Sequence, residues 1–151
     1  MNSLLSKQRI VQSLPLILAI VLLLYSVNNI YTFLVVKKTT LLSLFVWNTC
    51  TPVSIATAMV LVFGKEMRVL SSSMVPLLLW FGFLGLFVFW WGWLDLQLAF
   101  FMQGQHLVMT VTAVYLVKTR WAKKGAFVGV VALLLLILSF RVLGPYAAPL
   151  W

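Results

Sequence analysis

Residues 41–63, LLSLFVWNTCTPVSIATAMVLVF, decide the fold. A helix rises 1.5 Å per residue, so a hydrocarbon layer of about 30 Å takes roughly 20 apolar residues to cross. The stretch has that length and carries no charge, yet Asn48, Thr49, Cys50 and Thr51 interrupt it in succession. A polar group in hydrocarbon costs several kcal/mol unless it meets another helix, a cavity or water. The segment therefore reads both as a membrane helix and as a place where chemistry can sit.

Four further apolar runs have comparable length, at about 14–36, 75–92, 98–117 and 126–143. Lipid offers the backbone no hydrogen-bond partners, and no alternating strand pattern appears, so helices are expected throughout. The expected fold is all-α: one integral membrane domain over residues 1–151, a polytopic bundle of five transmembrane helices. The third and fourth runs nearly fuse, and 75–117 is too long for one span, which predicts a tight turn near Trp93–Gln97. Lys7 and Arg9 precede the first run as they would a signal peptide. That run is longer than a signal core and ends in Asn28, Asn29, Ile30 and Tyr31 rather than in a small-residue cleavage site, so it reads as a retained helix.

Composition leads the same way. Charged residues make up 9% of the chain and hydrophobic ones 64%, where a soluble domain carries about 25% charged; the mean hydropathy is +1.11. The net charge of +9 does not indicate a nucleic-acid partner, because the basic residues lie in short clusters between the apolar runs, where orientation signals sit. With five spans, one side holds Lys7, Arg9, Lys65, Arg68, Lys118, Arg120, Lys123 and Lys124, and the other holds Lys37, Lys38 and Arg141. That places the N-terminus in the cytoplasm and the C-terminus outside, with Trp90, Trp91 and Trp93 at the outer interface and Trp121 at the inner one. The expected location is a plasma membrane, read as bacterial.

Chemistry has few candidates. Glu66 and Asp95 are the two acidic residues and both fall between runs, so the buried carboxylate of many proton-coupled pumps is missing. One His and one Cys exclude a bis-His haem within one chain and an internal disulfide, and they leave no Cys, His and carboxylate set of adequate number for a metal. No metal and no cofactor are expected. Gln103, Gln105, His106, Thr110 and Thr112 punctuate the fourth run. With Leu41 and Leu98 both at the outer interface, Asn48–Thr51 and His106 each lie roughly 10–15 Å below it. If the two helices are neighbours, the polar groups share one layer. Gln103, His106 and Thr110 follow i, i+3, i+7 spacing, one stripe on one face. Pro52 lacks an N–H and is expected to leave the Asn48 carbonyl without its helical partner. The plainer readings stand beside these. Ser54 and Thr57 suit packing or back-bonding to their own helix, Cys50 can act as a small hydrophobe, and His106 as a hydrogen-bonded packing residue.

The stretches FVWNTC at 45–50 and FMQGQH at 101–106 together resemble the superfamily of YwaF-like bacterial membrane proteins and androgen-induced-gene hydrolases, with their acyltransferase relatives. The resemblance covers about residues 41–124. It implies five or six helices and a His that acts with a Thr or Cys on fatty-acyl esters; His106 matches that His, and Cys50, Thr49 or Thr51 the nucleophile. A second His close to the first is usual in the hydrolase branch, and here the neighbourhood reads Gln103-Gly-Gln-His.

Two function classes follow. In one, an outer-leaflet polar pocket of Asn48, Thr49, Thr51, Gln103, Gln105 and Thr110 surrounds Cys50 or a neighbouring Thr as nucleophile and His106 as base, and acts on lipid acyl esters by hydrolysis or transfer. In the other, the chain is a non-enzymatic membrane subunit or small-solute carrier whose polar layer fixes packing or contacts a partner. The bilayer is the expected partner in both, a lipid or acyl substrate in the first, and an oligomer or partner subunit is open to either.

Overall fold

The computed structural model describes residues 2–64, 67–88 and 96–147, with side chains from 13 onward except at 88 and 96–99. It is a bundle of helices, with no strand among the described residues. The elements in order are α1 (Asn2–Ile30), continuing through a π-helical segment Tyr31–Val36; α2 (Leu41–Trp47); α3 (Cys50–Phe63); α4 (Arg68–Leu78), running through a π-helical segment Leu79–Leu84 into α5 (Gly85–Val88); α6 (Leu96–Arg120); and α7 (Lys123–Leu143). Four helical stretches, Ser13–Val36, Arg68–Phe87, Phe100–Arg120 and Lys123–Tyr146, are long and apolar enough to cross a membrane, and α2 with α3 makes a fifth if that bent pair is one span.

Three expectations need correction. The second run is not one straight helix: α2 and α3 meet at 82°. The third begins at Arg68, not near Val75, because Ser71, Ser72 and Ser73 are helical and buried. Each serine hydroxyl donates to a carbonyl: Ser71 to Gly64, Ser72 to Arg120 and Ser73 to Leu70. A serine-rich stretch next to charges looks like a loop; with hydroxyls satisfied by carbonyls it can lie inside a bundle. Arg120 is the third. Its place in the sequence groups it with the interfacial cations, but its side chain is buried at 7% exposure, with Nη1 3.3 Å from both the Val60 carbonyl and Ser71 Oγ. A cation there faces the carbonyls that end α3, which the helix dipole favours. Lys118, Trp121, Lys123 and Lys124 are exposed, as interfacial residues would be. Lys65, Glu66, Trp90, Trp91, Trp93 and Asp95 lie outside the described residues, as do the side chains of Lys7 and Arg9.

Packing joins α1 to α3, α3 to α4, α4 to α6 and α6 back to α1, while α7 sits outside against α4. One core runs through this ring, including Leu22, Ala58, Leu78, Met109, Ala113 and Leu116. The outward faces carry exposed Leu, Val and Phe, for example Leu24, Phe63, Phe127 and Leu138, the arrangement expected where lipid replaces water as solvent. Two glycines seat α7. A Cβ at Gly125 would meet the Val69 carbonyl and Ser72, and one at Gly129 the Ser73 carbonyl and Pro76. Backbone approach between small residues is how membrane helices gain dispersion contact without a hydrophobic drive. The expected outcome for Gly129→Leu is loss of about 1–3 kcal/mol, read as a lower midpoint of thermal unfolding in detergent, while Val131→Leu on the exposed face of α7 leaves it unchanged.

Candidate functional site

The site is built on the break between α2 and α3. Thr40 starts α2 by accepting the Ser43 N–H at 3.1 Å, the usual role of a threonine N-cap. The helix stops at Trp47, and Asn48 leaves helical geometry at φ −127°, ψ 54°. The chain re-enters a helix at Cys50. Pro52 then lies in the first turn of α3, where a missing N–H costs little. The Asn48 carbonyl is not left open as expected: the Thr51 N–H donates to it at 3.0 Å, and the Val53 N–H to the Thr49 carbonyl at 3.2 Å. The freed groups are satisfied locally, and the proline acts by permitting a new helix start.

That geometry splits the four polar residues by direction. Cys50 points toward α6, with Sγ 3.2 Å from His106 Nε2 and 3.8 Å from the Phe81 carbonyl. Thr51 points toward α1: its hydroxyl donates to Asn48 Oδ1 at 3.2 Å and accepts from Asn29 Nδ2 at 3.4 Å. Thr49 bonds back to the Phe45 carbonyl at 2.9 Å. Of the three candidate nucleophiles, Cys50 alone is bonded to His106, and both are buried.

Two glycines hold the histidine. A Cβ at Gly82 would lie 2.7 Å from Met109 Cβ and 3.2 Å from the His106 carbonyl; one at Gly85 would lie 2.8 Å from His106 Cδ2 and Nε2. At Gly82, in the π-helical segment after α4, and at Gly85, the first residue of α5, the backbone thus lies against α6. Single π turns of this kind are frequent at functional sites.

Beside the thiol lies a cavity of about 290 Å³ lined by Trp47, Cys50, Trp80, Phe81, Leu84 and Phe140, among others. Its walls are mainly aromatic and aliphatic, and Cys50 supplies a sulfur to it. Among the described residues no three His, Cys, Asp or Glu side chains gather to hold a metal ion.

A second, neutral network, sharing no residue with the lining of this cavity, crosses the bundle. Asn29 Nδ2 donates to Gln105 Oε1 at 2.5 Å, and Gln105 Nε2 to Ser54 Oγ at 2.9 Å. Ser26 donates to its own Leu22 carbonyl and lies 3.5 Å from the Thr51 carbonyl. Asn29, Gln105, Ser54 and Thr51 are all buried. Sequence reasoning missed Asn29, Ser26 and the partner of Ser54. The available signal was the polar set Ser26, Asn28 and Asn29 inside the last turns of the first apolar run.

The polar stripe on α6 does not act as a unit. His106 faces Cys50, Gln103 faces a groove next to α1, and Thr110 donates to the His106 carbonyl of its own helix. Thr57 and Thr112 likewise bond back one turn.

No family model, curated protein or solved structure matches the chain. Its function therefore has to be read from this geometry. Gln105→Leu removes the shorter of the two hydrogen bonds made by Asn29 Nδ2 and the amide that donates to Ser54, leaving buried polar groups short of a partner. An expected loss of about 1–3 kcal/mol would appear as a lowered unfolding midpoint in detergent, whereas Thr57→Val, which only breaks a one-turn back-bond, should change it far less.

Proposed function

We propose that the chain is a membrane-embedded thiol enzyme acting on fatty-acyl esters, with Cys50 as nucleophile and His106 as general base. The observation that carries this reading is the 3.2 Å approach of Cys50 Sγ to His106 Nε2 beside an apolar cavity. A thiol becomes a strong nucleophile once its proton is taken, and an adjacent imidazole is the usual acceptor. Cys50 is also the first residue of α3, and the N-terminal end of a helix favours negative charge as the sulfur gives up its proton.

The reaction has two steps. Cys50 Sγ attacks the ester carbonyl carbon as its proton passes to His106 Nε2. The carbon–oxygen bond breaks, and the leaving alcohol takes that proton, which leaves a thioester on Cys50. Water or a second alcohol then attacks the thioester, again giving its proton through His106, and the thiol is restored. The cavity walls, with Trp80, Phe81 and Phe140, suit an acyl chain.

The same reading places the N-terminus in the cytoplasm and the C-terminus outside, with the thiol in the outer leaflet of a bacterial plasma membrane. It rests on five spans and on a seven-to-three asymmetry of basic residues once the buried Arg120 is set aside.

A second reading has its own support. The buried chain Asn29–Gln105–Ser54 ties α1, α3 and α6 without touching the cavity, which suits a subunit or small-solute carrier whose polar layer fixes packing. A chromogenic acyl ester distinguishes the two. Purified protein in detergent should be labelled on Cys50 by p-nitrophenyl dodecanoate, with the label removed by hydroxylamine as a thioester is. His106→Gln should slow labelling by about 10²–10⁴-fold, the worth of a general base. Equal labelling rates in wild type and His106→Gln would sink the enzyme reading. Orientation is checked separately: a reporter active only outside the cytoplasm, fused at the C-terminus, should be active.

A further inference from the structure

Helices α4 and α7 start side by side and run in the same direction. The Ala122 N–H, just before α7, donates to Ser72 Oγ at 2.7 Å, and a Cβ at Gly125 would meet the Val69 carbonyl. One turn on, a Cβ at Gly129 would meet the Ser73 carbonyl. The two helices therefore keep step, and their first residues share one end of the bundle. Those residues are basic: Arg68 opens α4, and Lys123 and Lys124 open α7. All three are exposed.

This placing is electrostatically unfavourable on its own. The N-terminal end of a helix carries partial positive charge and favours acids, and neither first turn holds one. Cations brought together also repel one another. Of the chain's two acids, Glu66 alone adjoins the cluster in sequence, while Asp95 precedes α6 at the end opposite Arg120. The cluster thus carries a surplus of positive charge that an anion relieves.

The second observation lies just below it. A groove of about 600 Å³ is lined by Met67, Arg68, Val69, Leu70, Ser73 and Val128. Ser73 Oγ donates to the Leu70 carbonyl, which leaves Arg68 as the charged end of an apolar trough. Lys124 stands four residues before Val128, on the same face of α7, and so approaches the trough from the other side. Val131 and Leu135 carry that face onward, and both are exposed. Trp121, next to the cations in sequence, is exposed as well, as an aromatic at headgroup level is. Cations above a trough that continues down the outer face of a membrane-length helix match one chemistry, a phosphate bearing acyl chains.

We propose that this groove binds one anionic phospholipid from the leaflet at this end of the bundle, with its phosphate on Arg68 and Lys124 and an acyl chain along Leu70, Val128 and Leu135. A guanidinium holds a phosphate through paired N–H groups, and an ammonium adds a point charge. A zwitterionic lipid brings its own cation to the cluster and is disfavoured, so the site selects net negative charge. It does not depend on the thiol reading. Cys50 opens α3, whereas Gly64, whose carbonyl accepts from the Met67 N–H, follows its far end, so about 20 Å of helix lies between the two sites.

The test uses full-length protein in dodecyl maltoside, offered equal amounts of dioleoyl phosphatidylglycerol and dioleoyl phosphatidylcholine, with retained lipid read by native mass spectrometry. Wild type should retain phosphatidylglycerol in preference by about tenfold, as two cations near a headgroup allow. Arg68→Gln combined with Lys124→Gln should abolish that preference. Lys37→Gln combined with Lys38→Gln removes the same charge beyond the opposite end of α3 and should leave it intact. Soluble glycerol 3-phosphate at the lipid's concentration should not displace the bound phosphatidylglycerol. Equal retention of the two lipids by wild type overturns the site, as does an equal fall in both double variants, which would make the preference a matter of overall charge. Displacement by glycerol 3-phosphate overturns the lipid as the ligand and leaves a plain anion site.

Discussion

In hydrocarbon a backbone N–H or carbonyl must find its partner within the protein. The break at Asn48 and Thr49 is where this chain meets that requirement in an unusual way. The α2–α3 segment turns through 82° in the middle of an apolar run, and the exposed groups are taken up within a few residues by Leu44, Asn48 and Thr49 carbonyls. Once the turn is fixed, neighbouring side chains that a straight helix would spread around its circumference are sorted to different sides: the thiol toward α6, the Thr51 hydroxyl toward α1. The rest of the polar interior follows from this sorting.

Two kinds of contact then hold the break in place. Amides and hydroxyls from α1, α3 and α6 close one side, through Asn29, Gln105 and Ser54. Bare backbone closes the other, where Gly82 and Gly85 let the third span lie directly on Met109 and His106. Neither side uses an ion pair. In a medium where unpaired charge is very costly, neutral groups with short reach give direction to packing at a lower desolvation penalty. Arg120, the one buried cation among the described residues, sits at the other end of α3, against backbone carbonyl and serine oxygen.

Much of this was legible in the residues. Helices, their membrane-length apolar runs and the depth shared by Cys50 and His106 all follow from run length and rise per residue, and the contact between the two polar clusters was conditional only on α3 and α6 being neighbours. The direction of each side chain was not legible, because it depends on a bend whose angle no spacing encodes. Pro52 marked the disturbance but pointed to the wrong consequence: an open Asn48 carbonyl in place of a fresh helix start. Ser71–Ser73 and Arg120 were misplaced for a related reason. Polarity suggests exposure until the carbonyls that satisfy it are known, and for Ser72 and Arg120 those come from elements distant in sequence. Gly82 and Gly85 gave no signal of their own in an aromatic run, since their role is to be thin against a neighbour that only the tertiary structure supplies.

The seating of α7 has a mechanical corollary. Its close backbone contacts are at Gly125 and Gly129 near one end, while near the other Phe140 forms part of the cavity wall and meets Phe81 edge to face, ring centres 6.3 Å apart. Such a helix is a lever with its fulcrum at the glycines. Phe140 stands 11 residues beyond Gly129, about 16 Å along the axis, so a tilt of about 10° swings it by about 3 Å. An aromatic pair is worth about 0.5–1.5 kcal/mol, similar in scale to the cost of a few Å of mismatch between a helix and its bilayer. The width of the cavity beside Cys50 thus depends on how α7 is seated at its two glycines.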